Sequence, residues 1–312
     1  MKLPFRLILP VMMLLAALAM PTALRAEAKP LRVVASTGIL ADIARNVGGD
    51  RVEVVSLLPP GADLHSFQPS PRDVQQLANA DVVVVNGLGL EAWLDEVIRH
   101  SGYAGKVVVA TNGIVPLPAN PGDGHDHGHD HGDEHDHEHA DDPHAWLAVA
   151  NGIQYAENIR AALAEADPEG AADYAAWASL YTTQLKVLDS WIQREVARIP
   201  RERRILITDH NAFQYFGAAY GVEVVSLTGA HRLQEPSAQD VAALVSLMRE
   251  KGVSHIFIEA AGNEKAMRQL AAESGAEIAG RLHTDGSTLE SAMLTYIDLH
   301  RLNVRMIVRS LE

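Results

Sequence analysis

The hexapeptide VEVVSL occurs twice in this chain, at residues 52–57 and again at residues 222–227. Each copy is a short run of β-branched and apolar residues, which is typical of a buried strand in a parallel sheet. Downstream of each copy a Pro-Ser pair is followed by an Asp-Val pair, at residues 69–74 and at residues 236–241. This ordered set of matches predicts a lobe that has been duplicated within one chain.

Similar short apolar runs recur on both sides of the two copies, separated by segments of helical length. The predicted strands of the first half are residues 31–35, 52–57, 81–85 and 106–110, and those of the second half are residues 204–208, 223–227, 255–259 and 277–282. Alternation of short strands with helices predicts parallel sheets that are covered by helices. We therefore expect an α/β protein of two (β/α)4 lobes, each with a four-stranded and mainly parallel sheet.

A long helix-forming segment separates the two halves. Asp167 followed by Pro168 is typical of a helix start, and the chain then contains no proline until Pro200. Apolar residues recur there at spacings of three and four, namely Tyr174, Trp177, Leu180, Tyr181, Leu185, Leu188 and Ile192. We expect a first lobe at residues 27–167, a rigid linker helix at residues 168–199 and a second lobe at residues 200–312.

The beginning of the chain has the layout of a secretory signal peptide. Lys2 and Arg6 precede an apolar run at residues 7–19, and small residues follow it. We expect a signal peptide over residues 1–26, cleaved at a bond within residues 23–28. The alternative is a membrane anchor, for which the apolar run is short.

Composition narrows the classes of function further. The chain contains no cysteine, which excludes disulfides and thiol chemistry and leaves no cysteine for a lipid anchor after the signal peptide. We therefore expect a protein of the periplasm without a lipid anchor. The net charge of −14 argues against nucleic acid as a partner.

Much of the negative charge lies in a histidine-rich loop, GDGHDHGHDHGDEHDHEHADD, at residues 122–142. This loop contains nine Asp or Glu residues and no Lys or Arg. It also contains seven histidines, which are His125, His127, His129, His131, His135, His137 and His139. Alternating imidazoles and carboxylates offer many weak sites for borderline cations such as Zn²⁺. We predict an auxiliary, low-affinity metal-binding loop; the alternative is a solvated acidic insert without function.

Four further positions are candidates for a tight metal site. In proteins with such sheets, small molecules and ions bind beyond the carboxyl ends of the strands. His65, His144, His210 and Asp285 all fall there. Each lobe then contributes two ligands to one metal. His283 lies two residues before Asp285, and the residues alone do not choose between these two.

Acidic neighbours are candidates for orienting the histidine ligands, whereas isolated histidines elsewhere need no metal. The candidates for orienting carboxylates are Asp142, Asp209 and Glu259. His100 and His300 fall in helical patterns that predict exposure to solvent, so we interpret them as structural or surface residues rather than metal ligands.

Several segments together resemble a known family. These segments are ADLHSFQPSPRDV, NGLGLEAWLDEVI, DDPHAWL, TDHNAFQYFGAAYG and FIEAAGNEKAMRQLAAESGA. They resemble the cluster A-I metal-binding proteins of ABC transporters, the ZnuA and TroA type, from about residue 31 to the end of the chain. The resemblance implies two lobes joined by a long helix, with one interlobe metal held by His65, His144, His210 and Asp285.

The resemblance also bears on the metal. Manganese members of the family tend to have a carboxylate where this chain has His210, and a histidine loop is typical of zinc members. Three histidines and one aspartate look most like the AztC branch. Three imidazole nitrogens and one carboxylate also suit tetrahedral Zn²⁺, whereas Mn²⁺ prefers more oxygen ligands.

The expected function is therefore capture of Zn²⁺ at one tight interlobe site and its delivery to an ABC-transporter permease with a cytoplasmic ATPase. A periplasmic zinc metallochaperone is a further candidate partner, and we expect a monomer. The alternatives are a manganese or iron solute-binding protein of the same family, or a metal buffer or metallochaperone acting through the histidine-rich loop. We expect no enzymatic activity, because the chain has no HExxH motif and a fourth protein ligand closes the site.

Overall fold

The computed structural model describes residues 29–59, 61–119, 141–229, 236–259, 262–286 and 294–312. The predicted signal peptide and all seven histidines of the histidine-rich loop lie outside the described residues. Within those ranges, no helix combines the length and apolar character that a membrane span requires.

The first lobe is built on one fully parallel sheet. Its strands are β1 (Leu31–Ala35), β2 (Val52–Ser56), β3 (Val82–Val85) and β4 (Lys106–Val109), in the order β2-β1-β3-β4. Its helices are α1 (Gly38–Gly48), α2 (Pro71–Ala78), α3 (Leu94–Ser101) and α4 (Val149–Ala166). The four strands coincide with the predicted ones to within one residue at each end.

The second lobe repeats the pattern with two parallel strand pairs. Its strands are β5 (Ile205–His210), β6 (Glu223–Thr228), β7 (His255–Glu259) and β8 (Glu277–Leu282). β5 pairs with β6 and β7 pairs with β8. At their carboxyl ends β5 and β7 are joined by a side chain, because Asp209 Oδ1 accepts the Glu259 backbone N–H at 2.7 Å. The helices are α6 (Gln214–Tyr220), α7 (Ala238–Lys251), α8 (Glu264–Ser274) and α9 (Tyr296–Leu311).

Helix α5 (Ala171–Val196) joins the lobes. A single 3₁₀ turn (Pro168–Gly170) precedes it, and the Asp167 carboxylate accepts the Gly170 N–H as predicted for a helix start. Arg51 pairs with Asp167 at 2.6 Å and so fixes this end of α5 to the first lobe. Most of the predicted apolar stripe is buried, but Leu180 is exposed.

Strand residues alternate between two sides of each sheet, and this alternation defines the core. Val33 belongs to a large inner cluster, whereas its neighbour Val34 belongs to an outer one. In the second lobe Phe257 belongs to the same inner cluster, and Ile256 to another outer one. The inner cluster also contains buried residues of α1, α4, α5 and α9. One shared helical core therefore lies between the two sheets, which confirms the predicted fold class.

The sequence duplication extends to local hydrogen bonds. Ser70 begins α2 with a capping box, in which Ser70 Oγ accepts the Asp73 N–H and Asp73 accepts the Ser70 N–H. Ser237 and Asp240 form the same box at the start of α7. The repeated Pro-Ser and Asp-Val pairs therefore encode the same helix start in both lobes.

Candidate metal centre

Three histidine side chains from three separate segments converge between the lobes. His65 lies after β2, His144 follows the long connection after β4, and His210 is the last residue of β5. The distances between their ring centroids are 5.1, 5.2 and 5.6 Å. One nitrogen of each ring lies within 4.8 Å of the others, which is close enough for all three to bind a single cation.

Buried carboxylates fix the orientation of two of these rings. His144 Nδ1 lies 2.7 Å from Asp142 Oδ1, which also accepts the His144 backbone N–H at 2.9 Å. His210 Nδ1 lies 2.5 Å from Glu259 Oε2, and Glu259 Oε1 accepts the His210 backbone N–H at 3.3 Å. Carboxylates in these positions keep the imidazole proton on Nδ1, so that the lone pair of Nε2 is available to a metal.

The Nε2 atoms of His144 and His210 face each other at a separation of 3.3 Å. Two nitrogen ligands on a tetrahedral zinc, each about 2.0–2.1 Å from the ion, are also about 3.3–3.4 Å apart. Both of these rings are buried, whereas His65 is half-buried and lies on the more open side of the cluster. The spacing therefore fits a tetrahedral nitrogen-rich site.

Asp209, which forms with His210 and Glu259 a second buried group of atoms within 4.8 Å of one another, also binds backbone groups. It adjoins His210 in sequence, but Asp209 Oδ1 binds the Glu259 N–H and Asp209 Oδ2 accepts the Asn263 N–H at 3.0 Å. A Cβ atom at Gly262 would lie 2.3 Å from Asp209 Oδ2, so this close approach requires glycine. Asp209 holds the end of β7, which carries Glu259, whereas Asp142 and Glu259 lie where predicted, beside the rings.

The described ends of the histidine-rich loop meet beside the site. Pro118 and Asp141 form an isolated antiparallel bridge, and the Asp142 N–H donates to the Leu117 carbonyl at 2.8 Å. The Tyr215 hydroxyl accepts the Leu117 N–H at 3.0 Å and donates to the Asp142 carbonyl at 3.2 Å. A side chain of the second lobe therefore holds the segment that leads to His144.

Asp285 is buried and follows β8, but the structure does not bring it into the set of groups that lie within 4.8 Å of one another. The alternative, His283, is half-buried, and burial lowers its pKa. Asn303 fixes the His283 backbone, accepting its N–H at 2.9 Å and donating to its carbonyl at 2.6 Å. The three histidines are thus brought together, whereas Asp285 and His283 lie outside the set that they form.

The predicted exposure of His300 to solvent is wrong. Its side chain is buried and stacks edge-on against Tyr296, with ring centroids 4.6 Å apart. His300 Nε2 lies 3.3 Å from the Trp146 carbonyl oxygen. Burial lowers the pKa of His300 to about 4, so this ring is neutral at physiological pH. His100 is exposed, as predicted.

Two residues near the ligands were missed in the sequence, namely Tyr215 and Trp146. The Trp146 indole N–H donates to the Thr284 carbonyl at 2.7 Å, and its ring lies 5.3 Å from that of His144. In the sequence, the position of Trp146 two residues after a candidate ligand indicates that this side chain lies near the site.

Comparison with known proteins places the chain in a family. Residues 33–310 match the family model described as ZnuA, zinc-uptake complex component A, periplasmic. The manganese-binding lipoprotein MntA of Halalkalibacterium halodurans is 35% identical over 92% of this chain and 90% of its own. The iron-binding protein YfeA of Yersinia pestis is 34% identical over 90% of this chain and 86% of its own.

Solved structures agree with the sequence matches. The periplasmic zinc binding protein TroA from Treponema pallidum superimposes with a TM-score of 0.77 at 28% identity, covering 91% of this chain and 99% of TroA. The match in fold therefore extends over both lobes. With a family model that spans nearly all of the described chain, this protein belongs to the ZnuA family of periplasmic metal-uptake components.

Proposed function

We propose that this chain is a high-affinity zinc-binding protein of the periplasm, which delivers Zn²⁺ to the permease of an ABC transporter with a cytoplasmic ATPase. The observation that supports this most is the convergence of three imidazoles, two of them held by buried carboxylates. A carboxylate that accepts the proton of one ring nitrogen raises the basicity of the other, and metal-binding histidines usually have such a partner. A periplasmic metallochaperone remains a candidate donor of the metal.

The nitrogen content of the site favours zinc over manganese. His65, His144 and His210 supply three imidazole nitrogens at a spacing that fits tetrahedral zinc. Mn²⁺ prefers oxygen-rich, octahedral surroundings. In the proposal Asp285 supplies the fourth ligand, as the resemblance to the AztC branch implies, and this closes the site to a catalytic water.

Manganese or iron transport is the second candidate function. Its support is that two relatives of this chain are named for manganese and for iron. Zinc transport predicts that Zn²⁺ binds more tightly than Mn²⁺ or Fe²⁺, and manganese or iron transport predicts the reverse. A direct comparison of the affinities for these metals therefore separates the two functions.

The histidine-rich loop has an auxiliary role in this proposal. Its seven histidines offer additional weak sites for zinc, and its described ends meet at the Pro118–Asp141 bridge, next to Asp142. The proposed location is the periplasm after removal of residues 1–26. The chain contains no cysteine that could carry a lipid, in contrast to relatives named as lipoproteins. We propose that it acts as a monomer.

Titration calorimetry of the chain from residue 27 onward, with Zn²⁺ and with Mn²⁺, tests the proposal. A deletion of residues 122–139 removes all seven loop histidines and keeps both partners of the Pro118–Asp141 bridge. We expect one tight zinc site to survive the deletion, with Mn²⁺ bound far more weakly. His144→Ala should abolish that site, whereas the matched control His100→Ala, at an exposed helical position, should leave it intact.

Two results would overturn the proposal in different ways. Loss of tight zinc binding on loop deletion, with no effect of His144→Ala, would indicate a metal buffer that acts through the loop. Tighter binding of Mn²⁺ or Fe²⁺ than of Zn²⁺ by the intact chain would favour the second candidate function.

A further inference from the structure

We propose that Trp146 is a positioning residue, which holds the segment that carries Asp285 at the interface between the lobes, beside the ring of His144. This inference rests on the proposed function, since it assigns Asp285 as the fourth zinc ligand. The interaction that carries it is the hydrogen bond from the Trp146 indole N–H to the carbonyl of Thr284, the residue before Asp285, at 2.7 Å.

Trp146 connects two ligand-bearing segments directly. It lies two residues after His144 in a 3₁₀ turn (Ala145–Leu147), and its ring contacts the His144 ring at a centroid distance of 5.3 Å. The other edge of the indole reaches Thr284 in the second lobe. A movement of the Thr284 carbonyl therefore acts on a side chain that contacts a ligand of the first lobe.

The segment that carries Asp285 is enclosed by the first lobe. A Cβ atom on Gly38, at the start of α1, would lie 2.8 Å from the Gly286 carbonyl oxygen, so the two backbones are in close contact there. Thr284 and Asp285 are both buried. The indole on one side and Gly38 on the other thus hold residues 284–286 at the interface.

Trp146 is itself fixed by helix α9. The Tyr296 hydroxyl donates to the Trp146 carbonyl at 2.5 Å, and His300 Nε2 lies 3.3 Å from the same oxygen. Both aromatic rings are buried. Contacts from α9 hold the Trp146 backbone in place. The indole can therefore in turn hold the Asp285 segment in place.

Asp285 lies outside the set of ligand atoms within 4.8 Å that the three histidines form, so the placement of its segment decides whether its carboxylate can complete the site. Outer groups that orient a metal ligand typically change metal affinity 10- to 100-fold when they are replaced. A side chain that replaces Trp146 but lacks the N–H should therefore weaken metal binding, while its ring still packs against His144.

The test removes the indole N–H while it changes the shape of the side chain as little as possible. We expect Trp146→Phe to weaken zinc binding about 10- to 100-fold in chelator-competition titrations. Replacement of Trp146 by the isostere 3-benzothienylalanine, which has sulfur in place of N–H, should give the same loss and keeps the inference testable if the phenylalanine variant folds poorly. Trp191→Phe, at a half-buried tryptophan of α5, is the matched control and should leave the affinity unchanged.

A double-variant comparison separates positioning from general destabilisation. Asp285→Asn should weaken zinc binding, and addition of Trp146→Phe to that variant should cause no further loss, because the indole acts through Asp285. The visible spectrum of the Co²⁺-loaded Trp146 variants should also shift toward that of Asp285→Asn.

Unchanged affinity and an unchanged Co²⁺ spectrum in the Trp146 variants would overturn the inference. Losses that add in the double variant would overturn it too, since they would show that Trp146 acts independently of Asp285. Failure of the proposed function is a different result, namely absence of tight zinc binding in the unmodified chain.

Discussion

At the level of single residues, the proposed metal centre depends on which ring nitrogen of each histidine carries the proton. His144 and His210 each direct Nδ1 to a carboxylate that is buried from solvent, and this leaves Nε2 for the cation. A buried carboxylate without such a partner is costly, so each pair stabilises both of its members. Ligand geometry and local stability are therefore linked at Asp142 and Glu259.

Removal of the charge of Glu259 should weaken metal binding without removing a ligand. Glu259→Gln keeps the size of the side chain but no longer favours the proton on His210 Nδ1, so we expect a 10- to 100-fold loss of zinc affinity. Chelator-competition titration measures the loss. Glu273→Gln, at an exposed position of α8, is the control. An affinity equal to that of the unmodified chain in Glu259→Gln would contradict the role assigned to this carboxylate.

Single residues were predicted with mixed success, for identifiable reasons. The three histidines and the carboxylates Asp142 and Glu259 were found because they follow predicted strands or adjoin predicted ligands. The predicted exposure of His300 was wrong, although the sequence pattern indicates that its side chain is buried. It lies four residues after Tyr296 and four before Val304, on the buried face of α9. The backbone partners of Asp209 could not be predicted, because Glu259 and Asn263 lie about fifty residues away.

At the level of secondary-structure elements, the two lobes use the same device to start a helix. The capping boxes at Ser70 and Ser237 satisfy backbone N–H groups that a helix start otherwise leaves free. In the second box the Ser237 hydroxyl and backbone N–H donate to Asp240, which lowers the pKa of that carboxyl. The box is therefore formed at neutral pH.

Ser237→Ala should destabilise the chain by about 1 kcal/mol, the usual cost of removing a serine N-cap. Urea unfolding of the metal-free chain measures the change in the free energy of unfolding. The control is Ser246→Ala in the same helix, where the hydroxyl bonds only to the Ala242 carbonyl one turn earlier. Equal effects of the two substitutions would show that the cap contributes nothing specific.

The strands and α5 were predictable because their signals are local. Runs such as VVVV in β3, and aromatic or aliphatic residues at spacings of three and four in α5, carry the periodicity of each element. Leu180 departs from the pattern. It precedes Tyr181 by one residue and thus lies about 100° around the helix from the buried stripe.

At the scale of the whole molecule, both sheets pack against one helical core. The inner cluster combines residues of the first sheet such as Val82, of α5 such as Leu185, and of the second sheet such as Leu206. One outer cluster lies on the far side of each sheet. A core shared in this way restrains movement of one lobe against the other, so release of the metal should require local changes near the ligands.

Stability of the whole molecule should fall in acid partly because of His300. Its pKa is about 4 in the folded chain and about 6.5 when unfolded, so only the unfolded chain binds a proton between these values. The contribution of neutral His300 is complete above pH about 6.5 and is lost as the pH falls toward 4. We expect His300→Gln to reduce the difference in unfolding free energy between pH 7.5 and pH 4.5 by about 2–3 kcal/mol.

Urea unfolding with a chelator present measures this difference without a contribution from bound metal. Asp42 acts in the opposite direction, because burial raises its pKa to about 6 and its contribution is lost as the pH rises through that value. This background is common to the unmodified chain and the variant, so it cancels in the comparison. His100→Gln, at an exposed position, serves as the control. An identical pH dependence in His300→Gln and the unmodified chain would contradict the prediction.

The shared helical core also bears on how the duplicated sequence can change over generations. A substitution at Leu185 or Tyr174 alters a cluster to which both halves contribute, whereas a substitution at Met248 alters a cluster of the second half alone. The outer surfaces of the two copies can therefore diverge independently, but their inner surfaces must change together. Through α5 we therefore expect the two lobes to vary together wherever they face the shared core.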